Sequence, residues 1–530
     1  MPAIFGDHMV LQQDAKLPVW GRASAGETVT VSMGNQKVGT VAGSDGRWRV
    51  ELPALPPNAV AQALVVQGEK NALEFQDVLV GEVWVCSGQS NMGIPLRYAH
   101  NAATELPKAA DPDLRLFLVP QRCAADPQND TPGRWEVCTP ETAGGFSAVG
   151  YFFARELRGK LNRPVAMIGA YWGGTSAQTW TSLAALDRVP AFKKYEAQYQ
   201  SALEAHKKVT PEMAADYEAM RIKWDEDYRA AQAQYQKALA AGEKVEKPKP
   251  DRPAPVQPDP MGVPNPAAAR PGTPSVLFNA MIAPLIPYAI KGVVWYQGEA
   301  NATPSGAVEY RTLFPCLIED WREQWGQGNF PFLFVQLPNI FIPAKPNEAE
   351  APRDWAVLRE AQLQTLALPN TGMAVTIDLG HPNDVHPKGK LDVGLRLALA
   401  ARKVAYNQDI VFSGPIYDSM KVEGNKIRLR FKNTGSGLAM GVSPWMWDGS
   451  TPAKPEKLTG FSISGPDQKW GDADAVIEGE SVVVSSVAIP APLAARYAWD
   501  NNPTCNLYNK EGLPASPFRT DIENTRKESQ

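Results

Sequence analysis

Histidine and cysteine are scarce in this chain of 530 residues, with five of each, and the cysteines form no C-x-x-C pair. That pattern argues against a thiolate zinc site or a dithiol redox centre. Cys123 and Cys138 are near enough in sequence to close a short loop or to stay as separate buried thiols, and the odd count leaves one thiol over. No run approaches about 18 consecutive apolar residues, so no membrane-spanning helix is expected. A basic block is also missing. Lys and Arg total 53 against 57 for Asp and Glu, a formal charge of −4, and nucleic acid is excluded as an expected partner. The N-terminal MPAIFGDHMVLQQ lacks the charged and apolar regions of a signal peptide. The expectation is either a periplasmic or secreted protein whose leader is absent from this chain, or a cytoplasmic one.

Proline and glycine, by contrast, are plentiful at 47 and 42 residues, which favours turns and short strands over long helices. Apolar residues make up 44% and charged residues 21%, the texture of a folded chain, and the length suggests about three to four domains. VTVSMG, KVGTVAG, WRVELPAL and LVVQG, separated by Gly, Asn and Asp turns, read as a small antiparallel β module over 1–77. From Val78 the texture changes. VLVGEVWVCSGQSN is a continuous apolar run that stops in small polar residues, as a fully buried strand ending in a functional loop does. PVAMIGAYWGGTSAQTW, IKGVVWYQGEAN, FPFLFVQLPN and GMAVTIDLG repeat the pattern, and helical stretches such as VGYFFARELRGKLN and EYRTLFPCLIEDWREQW lie between them.

Such alternation predicts an α/β domain with a doubly wound parallel sheet, in two parts, 78–189 and 273–410. The interruption at 190–272 combines an amphipathic helix with a Pro-rich segment. Met213, Tyr217, Met220, Trp224, Tyr228, Ala231, Tyr235 and Leu239 step by three or four, with Thr210 as N-cap and Gly242 as stop. A packing helix is the expected role, a lid the alternative. Strand patterns return over 411–530 as a second β module, and its Trp445 and Trp447, with Trp172 and Trp180, are candidates for a sugar-facing aromatic platform.

In an open α/β sheet, ligands bind at the carboxyl ends of the strands, where this chain places its small polar residues. Ser90 in G-Q-S-N-M follows a buried strand, and loop N–H groups there can stabilise an oxyanion. It is not a G-x-S-x-G elbow, because Met92 replaces the last glycine. Of the five histidines, His8 and His206 read as surface or packing residues and His100 as solvated, which leaves His381 and His386 after GMAVTIDLG. His386 in N-D-V-H-P has Asp384 two residues before it, able to hold the imidazole tautomer or to cap the next helix. W-G-G-T-S contributes Gly173 and Gly174, and Q-G-E-A-N contributes Gln297, Glu299 and Asn301. A nucleophile, a base and oxyanion donors would then arrive from four strand ends.

In this order G-Q-S-N-M, W-G-G-T, W-Y-Q-G-E-A-N and D-V-H-P resemble the blocks of the SGNH hydrolase superfamily, and within it the sialate O-acetylesterase family of carbohydrate esterases. FGDHMVLQQ and YAWDNNPTCNLYNKEGLPASPFRTD resemble that family's flanking segments, so all but 190–272 is covered. The resemblance implies a three-layer α/β/α domain flanked by β-sandwich-like modules, no metal or other cofactor, and hydrolysis of O-acetyl esters on sugars or glycans through an acetyl-serine. It assigns Ser90 as nucleophile, His386 as base, and the Ser90 N–H, Gly174 and Gln297 or Asn301 as oxyanion donors. Many relatives carry Asp three residues before the histidine, where this chain has Asn383. The third member is therefore open between Asp384, Glu299 and none. Gln89, Asn91, Arg97 and Trp172 are candidate substrate contacts; Arg97, close behind Ser90, is the candidate to meet a sialate carboxylate, with a helix-surface arginine as the alternative. Acetylated xylan is the alternative substrate. A non-catalytic glycan-binding protein and an esterase for apolar acyl chains are the competing functions, the latter disfavoured by polar strand-end loops. The sequence sets no oligomeric state.

Overall fold

The apolar run that starts at Val78 does not start a strand. In the computed structural model, which describes residues 1–240, 258–264, 271–343, 353–450 and 452–521, one strand runs from Ala72 to Gly88. Its first six residues are largely exposed, and from Val78 onward every residue is buried. The change in texture marks the onset of burial on both faces, and the expected boundary at 77/78 falls inside this strand. Its first part pairs antiparallel with Asn58–Gln67 and parallel with Val10–Gln12, and its second part pairs parallel with Val165–Tyr171 and Gly292–Tyr296. The exchange of partners falls at Gly81. A side chain there would lie 2.1 Å from the Pro164 carbonyl oxygen, so glycine is required for the crossing.

Upstream, Thr28–Met33 pairs with Gln36–Val41 and Asn58–Gln67, and Leu17–Arg22 pairs with Arg47–Leu52. Arg47–Leu52 buries alternate residues, the period of a strand with one wet face.

The central sheet has the order Thr371–Val375, Phe332–Gln336, Gly292–Tyr296, Ala72–Gly88, Val165–Tyr171, Asp111–Leu118 and Trp135–Cys138. All neighbours run parallel except the last pair. Helices cover both faces. Ala148–Leu161 packs with Lys390–Val404, and Pro304–Trp325 packs with Asp354–Gln364. Ser147 caps the first helix by accepting from the Gly150 N–H at 2.9 Å, and Thr303 caps Pro304–Trp325 by accepting from the Gly306 N–H at 3.1 Å. The expected α/β/α layering is therefore present, with parallel strands buried on both sides.

The interruption forms helices Lys193–His206 and Pro211–Ala240. Thr210 does accept a first-turn hydrogen bond, from the Met213 N–H at 3.2 Å. The apolar stripe is only partly covered, since Tyr217 and Trp224 are buried while Met213 and Met220 are exposed. Helical periodicity identified the helix correctly but overstated how much of its face is packed. Gly242, the Leu239 side chain and most of the Pro-rich segment lie outside the described residues.

The C-terminal module contains one four-stranded sheet in the order Ile416–Glu423, Lys426–Lys432, Ser481–Ser485 and Asp474–Glu478, and a second four-stranded sheet. All five cysteines are free thiols, and Cys138 donates to the Ala109 carbonyl rather than pairing with Cys123.

Candidate active site

Parallel register brings three of the polar loops to one level. Gly88 is opposite both Tyr171 and Tyr296, so the chain leaves the sheet at the same height in G-Q-S-N, W-G-G-T and Q-G-E-A-N. Gly88 has φ 130°, and a side chain there would meet the Tyr296 carbonyl oxygen at 2.1 Å. Only glycine makes that exit. The turn passes directly into the short helix Ser90–Gly93, with Ser90 at its first position. The Ser90 N–H is thus one of the donors that a first helical turn leaves unsatisfied.

The fourth loop has further to come. Thr371–Val375 is three places from Ala72–Gly88 in the sheet, about 14 Å at the usual strand spacing. Residues 376–389 span that gap and are tied along the way. The Gly380 N–H donates to Asn339 Oδ1 at 2.9 Å, the Phe341 N–H to the Pro382 carbonyl at 2.9 Å and the His100 N–H to the Lys388 carbonyl at 3.0 Å. At the far end His386 Nε2 lies 2.7 Å from Ser90 Oγ, a hydrogen bond between groups 296 residues apart.

Asp384 is close to the imidazole without bonding to it. Its Oδ1 accepts the His386 backbone N–H at 2.9 Å and stands 3.8 Å from Nδ1, beyond hydrogen-bond reach. Burial holds the His386 pKa below the ordinary histidine value, the Asp384 carboxylate opposes that shift and the Lys390 cation reinforces it. Glu299 does not reach the ring among the recorded contacts. Its Oε1 accepts from Asn91 Nδ2 at 2.5 Å, and its pKa is raised by burial.

The amides expected as oxyanion donors are engaged in bonds between loops. Gln297 is fully buried; its Nε2 donates to the Thr175 carbonyl at 3.2 Å and to Asn301 Oδ1 at 2.7 Å, and its Oε1 accepts from Tyr310. Both of its amide protons are committed. Asn301 Oδ1 also accepts the Ala177 N–H at 2.9 Å, while Asn301 Nδ2 donates to Gln178 Oε1. Together these bonds fasten the W-G-G-T-S loop to the Q-G-E-A-N turn. Gly173 backs onto the serine, since a side chain there would lie 3.2 Å from Ser90 Cβ, and Gly174 follows with φ 73°.

A cleft of about 420 Å³ opens over this pair and is lined by Ser90, His386, Gly173, Tyr98, Tyr171 and Lys388, among others. The expected substrate contacts lie elsewhere. Gln89 is buried with its Oε1 accepting the Ala300 N–H, Asn91 is fully buried, and Trp172 is 3% exposed. Arg97 is exposed, but its guanidinium sits over the Tyr98 ring at 5.2 Å and does not line the cleft. Trp172 and Trp180 belong to the core and cannot form a surface platform. Trp447 remains exposed at 44%, packed against His381 with ring centroids 4.6 Å apart and planes tilted by 57°, while Trp445 covers Gly389.

Sequence reasoning missed Lys390, which is fully buried and donates to Asn91 Oδ1 at 2.6 Å. Its signal was position: Lys390, Val393, Gly394, Leu397 and Ala401 share the helical face that packs inward, and a lysine on such a face needs a reason.

Comparison with known proteins agrees with this architecture. The sequence profile of the family described as "Carbohydrate esterase, sialic acid-specific acetylesterase" matches residues 275–403. The chain is 30% identical over 556 residues to the sialate O-acetylesterase of Rattus norvegicus, covering 97% of this chain and 93% of that protein. It is 28% identical to the Homo sapiens sialate O-acetylesterase, covering 96% and 90%. A solved carbohydrate acetylesterase from Xanthomonas citri is similar over 98% of this chain and 99% of that one, with a TM-score of 0.76 and 36% identity. With near full-length identity at this level and strand-end loops converging on one cleft, the chain belongs to the sialate O-acetylesterase family of carbohydrate esterases and is an ester hydrolase.

Proposed function

We propose that this protein removes O-acetyl groups from carbohydrates with Ser90 as nucleophile and His386 as general base. The observation that carries the reading is the 2.7 Å contact between Ser90 Oγ and His386 Nε2 inside the cleft. In the first step His386 Nε2 takes the Ser90 proton while Oγ bonds to the acetyl carbonyl carbon. The resulting oxyanion is met by the backbone N–H groups of Ser90 and Gly174, one donor of this kind being worth roughly 10²-fold to 10³-fold in rate. Gln297 has no free proton to offer, so its role is to hold the Gly174 loop. Collapse breaks the bond from acyl carbon to sugar oxygen, which receives the proton from His386. Water, deprotonated by His386, then releases acetate and restores the serine.

Asp384 biases the imidazole through space. With no carboxylate bonded to Nδ1 among the recorded contacts, Ser90 and His386 work as a dyad supported by that charge. The substrate class follows the relatives, O-acetylated sialic acid first. The cleft lining carries the cation Lys388 as well as the anion Asp384, and Lys388 rather than Arg97 is placed to meet an acidic sugar.

Acetate release is the test, measured for wild type, Ser90→Ala and His386→Ala on O-acetylated sialic acid and O-acetylated xylo-oligosaccharides. Serine-dependent and histidine-dependent release from the sialate is expected. Release from xylan alone would keep the mechanism and move the substrate. Retained turnover in Ser90→Ala, or glycan binding without turnover, would overturn the reading.

A further inference from the structure

We propose that Asn91, Glu299 and Lys390 form a positioning cluster for the reacting pair, in which the Asn91 amide joins the nucleophile's turn to the base's loop and Glu299 acts on His386 only through that amide. The inference rests on the roles of Ser90 and His386 given above.

Asn91 is the residue after the nucleophile, and Val385 is the residue before the base. Asn91 Nδ2 donates one hydrogen bond to the Val385 carbonyl at 2.9 Å and a second to Glu299 Oε1 at 2.5 Å. Its Oδ1 accepts from Lys390 Nζ at 2.6 Å. One amide therefore touches the neighbour of each reacting group and is itself held from both sides. An amide so constrained has one orientation, and with it the Ser90-to-His386 distance is fixed.

Stability alone does not account for the arrangement. Asn91 and Lys390 are fully buried, and Glu299 Oε2 is buried with no hydrogen-bond partner among the described residues. Burial lowers the Lys390 pKa to about 7 and raises that of Glu299, and an ionisable pair held inside and joined through an amide costs more than an apolar cluster of the same shape. What the cluster supplies is the restraint that Asp384, exposed and 3.8 Å from Nδ1, does not.

The groups facing the base are Asp384 and Lys388 on its own loop, Lys390 at the start of Lys390–Val404, and Glu299 from the turn beneath Asn91. Lys390 is the cation that opposes protonation of His386 from inside, in balance with Asp384 outside.

The test compares Glu299→Leu, Glu299→Gln and Lys390→Met in the full chain, with kcat, KM and the pH profile read on p-nitrophenyl acetate, and Ser90→Ala as control. Glu299→Leu removes the acceptor and is expected to lower kcat about 10-fold to 100-fold with KM little changed, the cost of a small misplacement of a catalytic group. Glu299→Gln keeps an acceptor for Asn91 and is expected to restore most of that loss. If Gln is as damaging as Leu, the carboxylate acts on the imidazole directly and the proposal fails. Lys390→Met is expected to shift the acid limb of kcat/KM to higher pH, because a cation facing the base is gone; an unmoved limb would overturn the proposal. The double variant Glu299→Gln/Lys390→Met leaves no ionisable group buried in this cluster, is expected to fold on that account, and is expected to show the same upward shift. Turnover surviving in Ser90→Ala would instead sink the underlying assignment, a result separable from all of these.

Discussion

His386 sits between opposing charges, and that balance makes its behaviour readable. Burial lowers its pKa, so the neutral imidazole persists further into acid than an ordinary histidine would. A base must be neutral to act. The acid limb of kcat/KM is therefore expected below about pH 6.5, and a limb well above it would mean another group is the base. Asp384 pulls the other way, so Asp384→Asn is expected to move that limb lower still. Its effect on kcat is expected near tenfold, far short of the roughly 10⁴-fold lost when a carboxylate bonded to the imidazole is neutralised; a stopped assay on both proteins across pH decides it. At this scale Ser90 and His386 were legible because each ends a recognisable strand or follows one. Lys390 was not, since a lysine in K-L-D-V-G-L-R-L looks like an ordinary wet position until the inward face of the helix is known. Gln297 was misplaced for the opposite reason: an amide in an active-site loop resembles a donor, and only its partners reveal that both protons are spent.

Among the elements, the two that depart from expectation do so through burial. Strand and helix alternation is carried by apolar periodicity, which is local, and it gave the order of the core. Where one sheet hands a strand to another is not local, because Val78 and Phe75 are both apolar and only the later packing of the chain buries the first and leaves the second partly open. The helix Pro211–Ala240 shows the same limit. Tyr217 and Trp224 anchor it, and Trp224 stacks on Tyr228 with centroids 5.2 Å apart. Met213, Met220 and Ile222 are exposed, so its attachment is narrow. Trp224→Ala is expected to speed limited proteolysis within 211–240 severalfold while leaving hydrolysis of p-nitrophenyl acetate intact. Unchanged proteolysis would show that the helix is held by something other than this anchor.

Across the whole molecule, one arginine ties the hydrolase core to the C-terminal module through four backbone carbonyls. Arg359 is fully buried on Asp354–Gln364 and donates to the carbonyls of Leu337, Pro338, Asp500 and Asn501 at 2.7–2.8 Å. It has no carboxylate in that set, and burial lowers its pKa to about 10. Beside it, Glu360 receives Arg519 from the module and Arg311 from the core. Arg359→Met strands four carbonyls in the interior and is expected to cost about 3 kcal/mol or more. A urea midpoint lowered at constant m measures it, and an unshifted midpoint would remove Arg359 from the account of how the module is attached. Ser443 continues the joint by donating to the Asp378 carbonyl at 2.7 Å, and Trp445 covers Gly389, so the module also braces the loop that carries His386.

The strand Ala72–Gly88 has a consequence for how the protein is made. The partners of its first half, Val10–Gln12 and Asn58–Gln67, are upstream and already made when it emerges from the ribosome, so the N-terminal sheet can close early. Its second half, apolar on both faces, must wait for Val165–Tyr171 and then for Gly292–Tyr296. At translation rates of 5–20 residues per second, the wait for the later partner is roughly 10 to 40 seconds. Until Val165–Tyr171 emerges the finished module holds out a strand with two open edges, and from then until Gly292–Tyr296 emerges one edge stays open. The nascent chain is expected to be a holdase client over that window, released when residue 296 emerges.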